Sequence, residues 1–189
     1  MSLPSGTIKL GPQNGSLTVR THREGLGARA GHDLVIEATR WEGTLQAPGG
    51  PLDVHVDARS LEVREGKGGA KPLTDKDRRD IKSTLESRIL QAETHPEISF
   101  HAEGLSRLSE AGASAGGPLE GSLEMNGRVQ PATVDVKLEQ AGGRLNVRGA
   151  ATVRQTSWGI KPYTALLGAL RVADQVEIVF ELEVPVGAA

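Results

Sequence analysis

Leu52-Asp53-Val54-His55-Val56-Asp57-Ala58-Arg59 alternates without a break: even positions are apolar and odd positions polar. Successive side chains on a strand point to opposite faces, so this stretch reads as a strand with one dry face and one wet face. The same period of two runs outward in both directions. Toward the N-terminus it appears in Leu17-Thr18-Val19-Arg20 and in His32 to Leu45, one long or bent strand with Leu34 and Ile36 inward. Toward the C-terminus it appears in Ile98 to Glu103, Leu119 to Met125, Val134 to Glu139, Leu145 to Val153 and Val176 to Val184. That makes about eight strands. The predicted inner face is Val19, Leu34, Ile36, Val54, Val56, Phe100, Leu123, Met125, Val136, Val147, Ile178 and Phe180. It is aliphatic and nearly free of polar atoms.

Turn residues punctuate these runs. Asn126-Gly127 between two alternating segments is a strong hairpin signal, because both residues tolerate positive φ. Pro48-Gly49-Gly50-Pro51, Gly116-Gly117-Pro118 and Gly142-Gly143 read as further turns, and Glu110 to Pro118 as a mobile loop. One segment breaks the period. Thr74 is placed to cap a helix, with Asp75 and Asp77 favourable in its first turn. Ile81, Leu85 and Ile89 then recur every four residues, and Pro96 lies beyond the end. A second, weaker helical piece is expected from Tyr163 to about Leu170.

Composition narrows the function classes. The chain has 189 residues, enough for one domain over 1–189 with a sizeable core, and it shows no internal boundary or repeat. A net charge of −2 argues against a general nucleic-acid binder. With no Cys, thiolate catalysis, disulfides and iron–sulfur clusters are excluded. Met1 to Thr7 lacks the basic-then-apolar order of a secretory leader, so the expected location is cytoplasmic. Ala165 to Leu170 is far too short to span a bilayer.

One dry face per strand is satisfied by a sandwich or by a closed barrel, and periodicity does not choose between them. Several motifs do. Gly31-His32-Asp33-Leu34 is followed by Trp41-Glu42-Gly43, then by Arg79-Asp80-Ile81, Leu90 and His95-Pro96-Glu97-Ile98-Ser99-Phe100. Next come Leu123-Glu124-Met125-Asn126-Gly127-Arg128-Val129-Gln130-Pro131, Val153-Arg154-Gln155-Thr156-Ser157-Trp158-Gly159-Ile160 and Val172-Ala173-Asp174-Gln175-Val176. In this order they resemble the YceI-like family of polyisoprenoid- or lipid-binding proteins, over roughly His32 to Val184. Departures are His95 where Tyr is usual, Glu124 where Thr is usual, and an altered Arg-Ser pair at Arg154. The resemblance implies an all-β, eight-stranded antiparallel lipocalin-like barrel with one inserted amphipathic helix and an apolar tunnel.

The implied function is non-enzymatic binding, with carriage or storage as its use, of an elongated apolar ligand: a polyisoprenoid, an isoprenoid quinone or a fatty-acyl chain. Its polar head is expected at a mouth. The expected contacts are Leu34, Ile36, Val54, Val56, Phe100, Leu123, Met125, Val136, Val147, Ile178 and Phe180 from the strands. Trp158, Ile160, Tyr163, Leu166, Leu167 and Leu170 join them from the most unusual segment, read as a tunnel mouth or wall or as a plug. Two rival readings stay open: an enzyme using His32 beside Asp33 as acid–base group, and a structural module with a filled barrel. No nucleophile motif accompanies His32. Asp53, His55 and Asp57 share the wet face and are read as solvated, so no metal and no cofactor is expected. A homodimer is left open.

Overall fold

The computed structural model describes residues 5–105 and 108–185; the leader reading of Met1 to Pro4 lies outside them. The first three strands each turn a corner. Strand β1 has arms Gly6–Leu10 and Gly15–Thr21, β2 has arms Asp33–Ala38 and Trp41–Ala47, and β3 has arms Leu52–Asp57 and Leu61–Lys67. The remaining strands are β4 (Glu97–Ala102), β5 (Ser114–Met125), β6 (Arg128–Ala141), β7 (Arg144–Arg154) and β8 (Gln175–Pro185).

Counted arm by arm, eleven strands run from Gly6–Leu10 at one end of the main sheet to Leu61–Lys67 at the other, and Ser109–Ala111, paired with β5 off this path, is the twelfth. Both ends are halves of bent strands. Gly6–Leu10 pairs with β2's second arm, and Gly15–Thr21 pairs with β2's first arm and with β8. Both arms of β2 pair with β3, and β3 pairs with β4. Antiparallel pairing continues through β5, β6 and β7 to β8. With each bent strand counted once, eight strands form a ring, the curled lipocalin-like architecture expected for the period-two pattern. Corners let the N-terminal strands pair with different neighbours above and below the bend.

The lower part of β3, Leu61–Lys67, leaves an outer edge that no strand covers, and helix α1 (Asp75–Thr84) lies there. Arg78 donates to the carbonyls of Val63 and Arg64 at 3.0 and 2.8 Å, and Lys82 to that of Arg59 at 2.9 Å. Unpaired edge carbonyls are thereby satisfied. The helix starts where its sequence predicts. Thr74 Oγ1 accepts from the Asp77 amide at 3.2 Å, while the Asp77 carboxylate accepts from the Thr74 amide at 2.8 Å. Ile81, Leu85 and Ile89 pack on the core.

Three local expectations are corrected. Gly116-Gly117-Pro118 is no turn; it lies inside β5. Pro118 falls between the β5 residues that pair with Ser109–Ala111 and those that pair with β4, so its missing N–H costs no ladder bond on that side. Glu110 to Pro118 is a hairpin reversing at Gly112 (φ 63°), not a loop. Tyr163 to Leu170 is not helical. Thr164–Ala165 and Leu170–Val172 form a small sheet with Arg23–Glu24. A lone helix of that length is unstable in water, and Gly168 at φ 88° supports the reversal instead.

Candidate functional site

The barrel interior has two unlike halves. At the lower end, next to α1 and the Asn126-Gly127 hairpin, it is filled. Trp41, Val56, Met125, Trp158 and Ile160 are buried there in one cluster with the helix stripe. The Trp158 indole donates to the Leu123 carbonyl at 3.0 Å. The upper half holds a cavity of about 200 Å³. Its wall comes from Val54, Phe100, Leu119, Leu123, Val136, Leu138, Leu145, Val147, Ile178, Phe180 and Val184, with Trp41 also bordering it. Ile8, Ala47, Leu105 and Leu108 contribute at the upper end. Among the described lining residues none is charged.

Two glycines shape this wall. Gly149 is registered against Phe180, and Gly121 lies beside Phe100 on the neighbouring strand. A Cβ at either position would overlap the facing ring, so both phenylalanines lie flat where a side chain is missing.

The predicted site residues separate into four places. Val54, Phe100, Leu123, Val136, Val147, Ile178 and Phe180 meet at the cavity. Val56, Met125, Trp158 and Ile160 belong to the filled half, away from it. Leu34, Ile36, Tyr163 and Leu170 line a separate groove of about 620 Å³ between α1, the small sheet and the barrel base. Leu166 and Leu167 face solvent at 59% and 109% exposure, both with left-handed backbone. The segment from Trp158 to Leu170 therefore lies at the end opposite the hollow half. Its first residues plug the base, because Trp158 and Ile160 are drawn under the barrel by the Gln155 turn. Sequence reading missed Trp41, Leu119, Leu138, Leu145 and Val184; the same alternation carried the signal for each.

The other constellations resolve into structural roles. The His32 ring donates from Nε2 to the Lys71 carbonyl at 2.8 Å, while Asp33 accepts from the Arg23 amide at 2.9 Å. The two side chains are thus held by different partners, and His32 borders the lower groove rather than the cavity. On the wet face Asp53 meets His101 at 2.7 Å, His55 meets Glu97 at 3.1 Å, and Asp57 meets Arg40 at 2.7 Å. The hydrogen bond that the His101 ring donates to the Asp53 carboxylate raises the pKa of His101. No cluster of three metal-ligating side chains occurs among the described residues. The Gln155-Thr156 and Ala173-Asp174 motifs hold each other: Gln155 donates to the Ala173 carbonyl at 2.9 Å, and Asp174 accepts from the Thr156 hydroxyl at 2.7 Å. That hydroxyl hydrogen bond keeps the Asp174 carboxyl below its usual range.

A family model described as a YceI-like domain matches residues 12–184. The chain belongs to the YceI-like family. Similar solved structures include a polyisoprenoid binding domain from Saccharophagus degradans implicated in plant cell wall breakdown. It shares 9% identity at a TM-score of 0.67, with 97% of this chain and 99% of that one covered. BcnA from Burkholderia cenocepacia shares 15% identity at a TM-score of 0.58, covering 88% and 95%. A Campylobacter jejuni YceI protein shares 11% identity at 0.51, covering 73% of each chain. At such identities the likeness is one of fold. No curated protein matches the sequence. Among the described residues, no helix of this YceI-like protein is long and apolar enough to cross a membrane.

Proposed function

We propose that this YceI-like protein binds an apolar molecule in the upper half of its barrel, without chemistry. The observation that carries the reading is the cavity of about 200 Å³ with an uncharged, almost wholly hydrocarbon wall. An apolar cavity of about 150 Å³ stays dry and takes up benzene. This one has room for roughly a ring with a short chain, or the end of a longer isoprenoid or acyl chain. Each methylene removed from water contributes about 0.8 kcal/mol. The relative from Saccharophagus degradans is described as polyisoprenoid binding, which supports an isoprenoid as the first class to try. Contacts in this reading are Val54, Phe100, Leu123, Val136, Val147, Ile178 and Phe180, joined by Trp41 and Leu119.

The test is calorimetric titration with geraniol and with decane, in the wild type and in a Val136→Phe/Val147→Phe double variant. Saturable binding with a negative heat-capacity change, lost in the folded double variant, is the expected result. Absence of binding in the wild type would remove the function and leave the fold.

A further inference from the structure

Among the described residues five large apolar side chains are exposed, and four of them, Leu26, Tyr163, Leu166 and Leu167, lie on or beside the small sheet. Apolar side chains scattered singly over a surface are ordinary, whereas a concentration of them marks a contact. Two turns leave this sheet at the same end, since Glu24 pairs with Arg171 and Ala165 with Leu170. One turn carries Leu26 and the other Leu166 and Leu167. The Gly27 amide ties them together by donating to the Ala169 carbonyl at 2.8 Å. Leu26 and Leu167 are 103% and 109% exposed, as open as in an extended chain. Leu166 and Leu167 also hold φ of 51° and 54°, a backbone region that is costly for leucine. The fold thus gives up stability twice, in exposed hydrocarbon and in backbone strain, to present these side chains. Strain of this kind gathers at functional surfaces.

We propose that this leucine-tipped knob docks on the surface of an anionic lipid bilayer, with the leucines entering the headgroup boundary and the surrounding cations meeting lipid phosphates. The chain has a net charge of −2, yet its segments 22–31 and 159–172 hold Arg23, Arg29, Lys161 and Arg171 against one carboxylate, Glu24. Glu24 stands 3.6 Å from Arg171. Arg29 and Lys161 are exposed and make no ion pair among the described residues. The α1 carboxylates that border the neighbouring groove, Asp77 and Asp80, are engaged by Thr74 and Lys76. Cations near an anionic surface attract the protein to it, and apolar side chains that enter the interface hold it there. A second copy of the chain fits the knob less well. Three leucines fall far short of the roughly 800 Å² per partner that a stable interface buries. A two-fold contact through them would also set the same unpaired cations on both sides. The inference is independent of what the cavity holds, because none of these residues lines it.

The experiment is co-flotation of the full chain with vesicles of equal parts phosphatidylcholine and phosphatidylglycerol, and with vesicles of phosphatidylcholine alone. Wild type should bind the anionic vesicles at least about ten-fold more tightly, and the difference should shrink at high salt. Arg29→Gln/Lys161→Gln should lose about ten-fold in affinity for the anionic vesicles. Leu26→Ser/Leu167→Asn should also lose about ten-fold, with no fall in melting temperature. A spectroscopic readout places the contact. In Leu26→Trp, anionic vesicles should shift the emission to the blue as the new indole leaves water, while wild type, whose two indoles are already buried, should not respond. Absence of wild-type binding to the anionic vesicles, undiminished binding in the leucine variant, or an unshifted Leu26→Trp emission would each overturn the proposal. Self-association of wild type that Leu26→Ser/Leu167→Asn abolishes would overturn it too, by assigning the knob to a second copy of the chain.

Discussion

Gly149→Ala should leave the barrel folded and close its cavity. The added methyl would overlap the ring tip of Phe180 and would stand 3.1 Å from the Asp135 carbonyl oxygen. The backbone contact needs a shift of only a few tenths of an ångström. The ring is the free end of a side chain that borders an empty space of about 200 Å³, so it can turn inward. Leaving its rotamer well costs about 0.5–1.5 kcal/mol. Replacing a strand glycine by alanine returns about 0.5–1 kcal/mol. The net change in stability should stay within about 1 kcal/mol. A benzene-sized ring occupies most of a cavity of about 150 Å³, so the displaced ring takes up much of the space available to a ligand. Affinity for geraniol should fall at least about ten-fold, a loss of about 1.4 kcal/mol. Gly121→Ala is the control. Its methyl would overlap the Phe100 ring and also the His101 backbone carbonyl, which cannot turn aside. Overpacking of that kind costs about 1–3 kcal/mol. Urea denaturation gives the stabilities and calorimetry the affinities. If Gly149→Ala loses as much stability as Gly121→Ala, or binds ligand as tightly as wild type, the reasoning about Phe180 and the cavity is wrong.

Further outcomes follow from other parts of the molecule. Asp53→Asn removes the partner that raises the His101 pKa above 6.5. The pair stabilises the fold below the unfolded value and ceases to as pH rises through the folded one. The variant's melting temperature should therefore lie below wild type at about pH 5.5 and coincide with it at about pH 9. Leu167→Asn should raise the melting temperature by relieving up to about 1 kcal/mol of strain, since Leu167 is fully exposed at φ 54°; a fall would show that its side chain packs on something. Thr74→Ala should cost about 1 kcal/mol in urea denaturation by deleting the α1 cap. Val56→Asp should abolish soluble expression while His55→Gln is tolerated, since Val56 is buried and His55 lies on the wet face; equal damage from both would refute the assignment of faces.

The alternation from Leu52 to Arg59 was enough to sort faces because parity is local: it depends on which residue follows which and on nothing distant. The helix at Asp75 was legible for the same reason, since its cap and its Ile81, Leu85 and Ile89 stripe lie within one short segment. The hollow half of the barrel is a different kind of property. It depends on which side chains from separate strands share a layer. Trp158 reaches under the barrel to the Leu123 carbonyl, 35 residues away in the chain, and no short window contains both. The cluster of large apolar residues from Trp158 to Leu170 suggested a site, yet half of its bulk fills the base and the rest faces a groove or solvent. A barrel of eight strands encloses a nearly constant cross-section, so bulk concentrated at one end leaves room at the other. Both tryptophans belong to the filled end together with Met125 and Ile160. The opposite end must close over Val, Leu and two phenylalanines laid flat on Gly121 and Gly149. Layer-by-layer volume, rather than the location of the largest side chains, is what places the cavity at the upper end.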